Sequence, residues 1–532
     1  MRPCSLRRPL EGQARSLGRR YARSMSQSRQ HATATSLADS RPMRPVSRVY
    51  PPIGQPTPSS HPQLFSEGEL TPGVQAKEYE QRRQRLIDSL PDGSVCISAS
   101  APVAYMSQKI FYKYRQATDF YYLTGFQEAN SAVVLEKDPS CKRGFRMSLF
   151  VAPKDIEEEL WNGTRTGVTA AVDVFDADEA FDIGQLENRL ETILARTSGP
   201  IYCDTPEKAT RTRAGLFTRS AASQAVMDFL YRGKSASYPA AAESSPILQV
   251  LAGMRGSRQI RPLCDRVEQF RLYKSSAEVR LMRQAAELSC EAHAKVMRRA
   301  QPGINQAALV AEFEYYTASK GAERLAYVPV CASGQAALTI HYTANDRPLE
   351  EGSLVLFDAG CEYQGYASDI TRTFPVDGRF TGPQADLYQA VLNVEKACVD
   401  LCTEDNNMTL SDLHARSCQL LRSELSQLGF SFGSNELSRL YPHFIGHCLG
   451  QDLHDTLSWD RHQKIKAGIV LTIEPGIYVP AHASFPQHFH GLGIRVEDEV
   501  LVERSHSVNL SANGPKEIVD VEAACLGLLE PV

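Results

Sequence analysis

Leu354-Val355-Leu356-Phe357-Asp358-Ala359-Gly360 and, a short way on, Ala367-Ser368-Asp369-Ile370-Thr371-Arg372-Thr373-Phe374 decide how the C-terminal half of the chain folds. Four apolar residues in a row read as a buried strand. A carboxylate that finishes such a strand is costly unless it is paired or holds a metal. Gly360 and Gly365 lie between the two acids, so a hairpin can bring Asp358 and Asp369 together. Positions 367, 369, 371 and 373 then share one strand face. Taken singly, either Asp is more often a turn or cap residue.

Working outward, the strand-like runs are 353–358, 366–374, 469–474 and 493–502, and helical spacing lies between and before them. Val279, Met282, Ala285, Ala286 and Ser289 fall on one face of a helix that Ser276 caps and Pro302-Gly303 ends. Asn305 caps the next helix, which stops at Gly321. Helices over 384–402 and 411–428 start at Pro383, suited to a first helical position, and at Ser411, a capping residue. Helices with strands joined by tight turns predict a mostly antiparallel α+β domain over 266–520. Upstream, Val95-Cys96-Ile97, Ala132-Val133-Val134-Leu135 and Ser148-Leu149-Phe150-Val151 read as short buried strands and Glu187–Leu194 as a helix. That mixture predicts an α/β domain over 76–265. It begins near Glu78, where Tyr79, Arg82, Leu86 and Leu90 recur at helical spacing. Prolines crowd the segment just before it, so 51–75 reads as a linker or extended arm and not as a core element.

The 532 residues, 42% apolar and 23% charged, suffice for a sizeable core and exclude a collagen, a rod or a wholly disordered chain. No apolar run approaches the roughly 18 residues of a membrane span. A net charge of −4 gives no case for a nucleic-acid partner. The thirteen cysteines are odd in number and contain no Cys-x-x-Cys pair, which fits free thiols in a reducing compartment. Charge is uneven: residues 1–50 hold eleven Arg, no Lys and only Glu11 and Asp39 as acids. Arg-rich, Ser-rich and acid-poor, with no apolar stretch of a secretory signal, this leader reads as a mitochondrial transit peptide. Arg19-Arg20-Tyr21-Ala22 resembles a presequence site at which one protease cuts before the Tyr and a second peptidase removes it.

Chemistry-bearing residues cluster late. Eight of the thirteen His lie between His443 and His506. His443 and His447 form His-x-x-x-His with Phe444 in the second place, so this is not the His-Glu-x-x-His zinc motif. His454 follows in Leu453-His454-Asp455. In Leu471-Thr472-Ile473-Glu474-Pro475-Gly476, Pro475 keeps Glu474 extended and Gly476 frees the turn, so another carboxylate ends an apolar strand. In Ile494-Arg495-Val496-Glu497-Asp498-Glu499-Val500, Arg495, Glu497 and Glu499 share a face by parity. For that segment alone a solvated strand face with a salt bridge is the simpler reading.

Taken in order, the segments Val355–Gly360, Ser368–Phe374, His443–His447, Thr472–Gly476 and Arg495–Asp498 resemble the pita-bread metallopeptidases of the aminopeptidase P and prolidase branch. Gln116-Ala117-Thr118-Asp119-Phe120-Tyr121-Tyr122-Leu123-Thr124-Gly125-Phe126 and Trp161-x-Gly163-x-Arg165-x-Gly167 are similar to signatures of that branch's N-terminal domain. The resemblance spans about 80–515. It implies an α/β N-terminal domain followed by an α+β pita-bread catalytic domain, and a site for two divalent metal ions. Four carboxylates and one imidazole, without a thiolate, favour manganese (Mn2+) over a structural zinc. By the same resemblance, Asp358 holds one ion, His447 and Glu474 the other, and Asp369 and Glu497 bridge. Glu474 is also the proton carrier, His341 and His454 donate to the carbonyl as it becomes an oxyanion, and His443 lies on the substrate side. Arg495 orients the bridging carboxylate, and Arg165 lines the substrate entrance. Cys448, beside His447, departs from the pattern and reads as a packing residue.

With the leader, the resemblance points to the mitochondrial, intermediate-cleaving type: an aminopeptidase removing one N-terminal residue after presequence cleavage, in the matrix or at the matrix face of the inner membrane. Peptide or protein N-termini are its expected substrates. Peripheral membrane association and a homo-oligomer are further expectations. The rivals are a Xaa-Pro aminopeptidase or prolidase with a strict proline requirement, and a non-catalytic binding protein on the same fold. Relatives of the last kind typically lose metal ligands, whereas all five stand here.

Overall fold

The computed structural model describes residues 52–203, 258–432 and 436–529, together with Ile247, Val250 and Leu251. The basic leader and its Arg19–Ala22 site lie outside them.

The proline-rich stretch is not a free linker. Ile53, Leu70 and Val74 are buried in the same core as Tyr79 and Leu86. Gln55 Nε2 donates to the Gly125 carbonyl at 3.0 Å, and the short strands Glu69–Thr71 and Val74–Gln75 pair antiparallel. Prolines forbid regular hydrogen bonding there, but the apolar side chains between them still find a core. The helix that follows, Ala76–Asp88, buries Tyr79, Arg82, Arg83, Leu86 and Ile87.

The N-terminal half is built on a six-stranded sheet in the order Ile260–Arg261, Ile201–Cys203, Val95–Ala99, Ala132–Lys137, Phe145–Val151, Glu179–Asp182. Its centre is antiparallel and its flanks parallel. The helix Leu186–Arg196 packs Leu186, Leu190, Ile193 and Leu194 against Val95, Ile97 and Val134.

The C-terminal half carries small antiparallel sheets. Val330–Ser333, Leu354–Asp358 and Thr371–Pro375 form one; Val470–Ile473, Asp498–Val502 and Ser507–Asn509 another; Arg324–Leu325, Cys361–Tyr363 and Tyr366–Ala367 a third; Gly476–Tyr478 pairs with Gly493–Arg495. Helices cover them. Ser276–Arg299 is capped by Ser275 rather than Ser276, because Glu278 stands three residues after Ser275 and completes a capping box. Thr409, not Ser411, caps Leu410–Gln427 for the same reason, with Asp412 as its partner. Asn305 does cap Gln306–Ser319, accepting from the Ala307 N–H, and Pro383 lies in the first turn of Gly382–Leu401.

Two strands expected to be continuous are broken. Tyr366–Ala367 pairs with Cys361–Tyr363, whereas Thr371–Pro375 pairs with Leu354–Asp358. Gly493–Arg495 pairs with Gly476–Tyr478, whereas Asp498–Val502 pairs with Val470–Ile473. At each break the chain passes from one sheet to another through a bend. The residues in the bends are Ser368-Asp369-Ile370 and Val496-Glu497, so side-chain parity does not run through either segment.

One core joins the halves: Phe120 and Leu149 cluster with Met282, Tyr366, Leu449 and Leu510. Where the halves meet, Arg271 at the end of the helix Cys264–Arg271 is ion-paired with Asp119 and Asp452, both at 2.7 Å, and with Asp455. No cysteine among the described residues is in a disulfide, and no helix among them is long and apolar enough to cross a membrane.

Candidate metal centre

The two bends face each other across the Asp358–Thr371 register. Asp358, ending its strand, is buried and accepts from the Tyr327 hydroxyl and from Arg495 Nη2. Asp369 sits in the first bend, which is pinned by its backbone N–H donating to Glu499 Oε1 at 2.8 Å. Glu497 sits in the second. Its carboxylate accepts from Thr371 Oγ1 at 2.6 Å, and its own N–H donates to the Thr371 carbonyl at 3.1 Å.

His447 and Glu474 arrive from a neighbouring pair of segments. The Glu474 N–H donates to the Ile445 carbonyl at 2.8 Å, and the His447 N–H to Thr472 Oγ1 at 3.1 Å. This contact needs Gly446: a Cβ there would lie 1.8 Å from the Thr472 carbonyl oxygen. His447 Nδ1–H donates to the Cys448 carbonyl at 3.0 Å, which leaves Nε2 aimed at Asp369 Oδ2, 3.2 Å away.

Asp369, His447 and Glu497 each present a ligand atom within 4.8 Å of the others. Asp358 and Glu474 share their field. Burial raises the Glu474 carboxyl to about 7, where His447 and Arg495 draw it down and Asp369 and Asp358 push it up. Burial, then Asp369, Glu474 and Asp358, raise Glu497 well above the carboxylate range. Burial also raises Asp358, against the pull of Arg495. Burial opposes charge on His447 too, yet the bond to Asp369 holds its imidazole up at about 9. Buried carboxylates that repel one another, with one guanidinium and one imidazole beside them, form a donor set fitted to hard divalent cations. Cys448 takes no part: burial pushes its thiol up to about 11, and its charged neighbours are Lys274 and Asp455 at the seam between the halves.

A second layer orients this set. Arg495 bonds Asp358 rather than Asp369 or Glu497. It reaches Glu497 only through Thr371, whose hydroxyl accepts from Arg495 Nε at 3.0 Å and donates to Glu497. Arg495 Nη1 donates to the Tyr478 hydroxyl at 2.7 Å, and that hydroxyl meets His443 Nε2 at 3.0 Å. His443 Nδ1–H donates to the Phe444 carbonyl at 2.9 Å. Burial and then Arg495 hold His443 down at about 3, a neutral ring 3.6 Å from Glu474.

His454 stands at the rim with its ring centroid 4.3 Å from that of His447. Desolvation and the His447 charge hold it down at about 4. His341 lies close enough to lower both His443 and His454. Arg165 is not brought to this cluster. It bonds Glu158 at 3.1 Å and the Pro153 carbonyl at 3.2 Å, both in the N-terminal half. The solvated-face reading of 494–499 also fails: Arg495, Glu497 and Glu499 are all buried. Residues unmarked in the sequence reading are Tyr327 and Tyr478; Thr371 and Glu499 were visible only through their parity with Asp369 and Glu497.

Comparison with known proteins agrees with this geometry. The family description "Metallopeptidase family M24" matches residues 280–504, and "Aminopeptidase P, N-terminal domain" matches 79–202. Intermediate cleaving peptidase 55 of Saccharomyces cerevisiae is 37% identical over 494 residues, covering 90% of each chain. Xaa-Pro aminopeptidase 3 of Mus musculus is 35% identical over 91% of this chain and 92% of that protein. The crystal structure of the yeast Icp55 lacking its N-terminal 58 residues superposes with a TM-score of 0.73 at 34% identity, over 87% of this chain and all of that one. The chain therefore belongs to metallopeptidase family M24, in the branch that carries an aminopeptidase P N-terminal domain, and is a metalloaminopeptidase.

Proposed function

We propose that the enzyme removes a single N-terminal residue from mitochondrial proteins after presequence cleavage, with two manganese ions as its working metals. The observation that carries the reading is the convergence of Asp369, His447 and Glu497, with Asp358 and Glu474 in the same cluster of interacting charges. In this reading Asp358 would hold one ion, His447 and Glu474 the other, and Asp369 and Glu497 would serve both. Bound there, the ions supply Lewis acidity toward the scissile carbonyl and acidify the attacking water. Glu474 takes the proton from that water and hands it to the leaving amine. His454 and His341, at the rim, donate to the carbonyl oxygen as its charge grows. His443, fixed by Phe444 and Tyr478, lies beside Glu474 on the substrate side.

The yeast relative's name and the Arg-rich, acid-poor leader support a mitochondrial address, in the matrix or at the matrix face of the inner membrane. The apolar side chains exposed on the hairpin of Tyr105–Ser107 and Ile110–Phe111, and those of Ile156, Leu160 and Trp161, suit self-association or peripheral contact with that membrane.

A second reading, strict specificity for proline after the scissile bond, is favoured by relatives named Xaa-Pro aminopeptidase 3. Matched peptides starting Tyr-Ala and Tyr-Pro, incubated with the manganese-loaded enzyme, decide between the two. Release of Tyr from the Tyr-Ala peptide supports processing, and cleavage of the Tyr-Pro peptide alone replaces it with proline specificity.

His454→Ala should lower turnover by about two to four kcal/mol of barrier, roughly 30- to 1,000-fold, with both metals retained. Metal analysis beside steady-state kinetics checks this; loss of metal would make His454 a ligand instead.

The leader carries its own test. Cleavage after Arg20 exposes Tyr21, and the proposed activity removes it. The mature chain should begin at Ala22, and an inactive Glu474→Gln variant at Tyr21 where no active copy is present. N-terminal sequencing from isolated mitochondria reads the difference, and a mature start at Met1 would remove the targeting argument.

A further inference from the structure

His454 is exposed, and among the described residues its ring meets that of His447 and forms no hydrogen bond. Its place is therefore set by the backbone of the loop 448–455. That loop is a tight turn: the Gly450 N–H donates to the Asp452 carbonyl at 3.1 Å and the Asp455 N–H to the Cys448 carbonyl at 2.9 Å. Gly450 permits it, since a Cβ there would collide with the Asp455 carboxylate and lie 3.1 Å from Lys274 Cε. His454 sits between the two acids of the turn, Asp452 and Asp455, and both are tied down.

Asp455 is buried and pairs with Lys274 at 3.1 Å and with Arg271, so its anchors lie in the C-terminal half. Asp452, by contrast, is gripped from the N-terminal half. Its Oδ1 accepts from the Thr118 hydroxyl at 2.7 Å and from Arg115 Nη2 at 3.3 Å, and Arg115 Nη2 also donates to the Gln451 carbonyl at 2.6 Å. Its Oδ2 accepts from Arg271 Nη2 at 2.7 Å, and Arg271 Nη1 in turn donates to Asp119 at 2.7 Å. Burial would raise the Asp452 carboxyl, but Arg271, Thr118 and Arg115 together hold it below its ordinary range. Bonds to an ionised group are roughly twice as strong as neutral ones, so this carboxylate fixes the turn two residues before His454. Thr118 and Asp119 belong to the 116–126 signature, which supplies no ligand to the metal centre, and Arg115 adjoins it.

An oxyanion donor works only where it meets the developing charge, and a misplacement of about 1 Å can cost about a hundredfold in rate. We propose, on the reading of His454 as such a donor, that Asp452 is a positioning residue for the reaction: gripped by Thr118 and Arg115 of the N-terminal half, it sets the backbone from which His454 reaches the substrate carbonyl. The N-terminal half then serves the chemistry of a centre to which it gives no ligand.

Steady-state kinetics and metal analysis of the full chain test this through a double-mutant cycle, with whichever of the Tyr-Ala and Tyr-Pro peptides is cleaved. Asp452→Ala should lower kcat by about tenfold or more, with KM within about twofold and metal content unchanged, because the lost interaction belongs to the transition state. In a His454→Ala background the same change should lower kcat by less than about twofold, since the donor it places is gone. Thr118→Val removes the hydroxyl that holds Asp452 and spares the buried ion pairs. It should lower kcat by about threefold or more, again only where His454 is present, and it carries the same test if Asp452→Ala does not fold. Thr118→Ser, which keeps the hydroxyl, should stay within about twofold of the wild type. An equal fall of kcat in both backgrounds, loss of metal in Asp452→Ala, or turnover unchanged in Asp452→Ala and Thr118→Val would overturn the positioning role and leave His454 as read. Unchanged turnover in His454→Ala would overturn the reading of His454 and the positioning role with it.

Discussion

Glu497→Gln and Asp369→Asn should each lower peptide hydrolysis more than about a thousandfold and release metal. Substitutions behind a metal's own ligands already cost about 10–100-fold, and these two residues are read as serving both ions at once. Each change preserves shape and removes one negative charge from a small buried set. Thr371 Oγ1 can still reach the amide oxygen at position 497, and the Asp369 N–H still holds Glu499, so the loss reports charge rather than collapse. The metal-free protein should respond in the opposite sense. Without cations, Glu497 is a buried carboxylate repelled by Asp369, Glu474 and Asp358, so Glu497→Gln should raise the melting temperature of chelated protein while lowering that of the loaded form. Metal analysis, kinetics and melting curves with and without chelator test this together. Two retained metals with near-normal turnover in either variant would show that the residue does not bridge.

Arg372→Met should destabilise the protein by about 3–5 kcal/mol, the usual cost of breaking a buried ion pair. Arg372 is fully buried. Its guanidinium bonds Asp498 and the Pro515 and Thr371 carbonyls at 2.7, 3.0 and 3.0 Å, and the Glu497 carbonyl at 2.6 Å. It thus ties the second bend, and the strand that leaves the first, to the sheet containing Asp498. Burial alone would raise the Asp498 carboxyl, but Arg372 and Lys516 hold it far below the ordinary range. A depressed carboxylate contributes stability that is fully present above its unfolded pKa of about 3.9 and is lost as pH falls through the folded value. In Arg372→Met the folded value rises toward the unfolded one, so that loss should be smaller and should end at higher pH. Guanidinium unfolding at neutral and acid pH measures both effects; a change under about 1 kcal/mol at neutral pH would rule out the clamp.

The acids of the centre were legible because each ends or interrupts an apolar run, where a charge is too costly to stand without purpose. Asp358, Asp369 and Glu474 are of this kind, and the order of motifs around them identified the branch. Glu497 was less legible, since Arg495 and Glu499 beside it imitate a wet strand face. What buries that face lies far along the chain, in Asp358, Thr371 and Tyr478. The bends were hidden for a similar reason: a local pattern shows that residues are extended but not that their partner strand changes. Helix starts missed by one or two residues at Ser275 and Thr409, where the acid three positions later decides among neighbouring hydroxyl residues. Arg165 is held by Glu158 in the N-terminal half, apart from the carboxylate cluster, a placement that its signature motif does not encode.

The bends also settle when the enzyme can first act. Asp369 and Glu497 each occupy a crossing between two sheets, so neither sheet alone fixes the position of either carboxylate. A chain with most of its helices and strands formed, but with one sheet still undocked, has every ligand in its sequence and no place to hold an ion pair. Peptidase power therefore requires both crossings to be in place at once, and cannot be lodged in either sheet by itself.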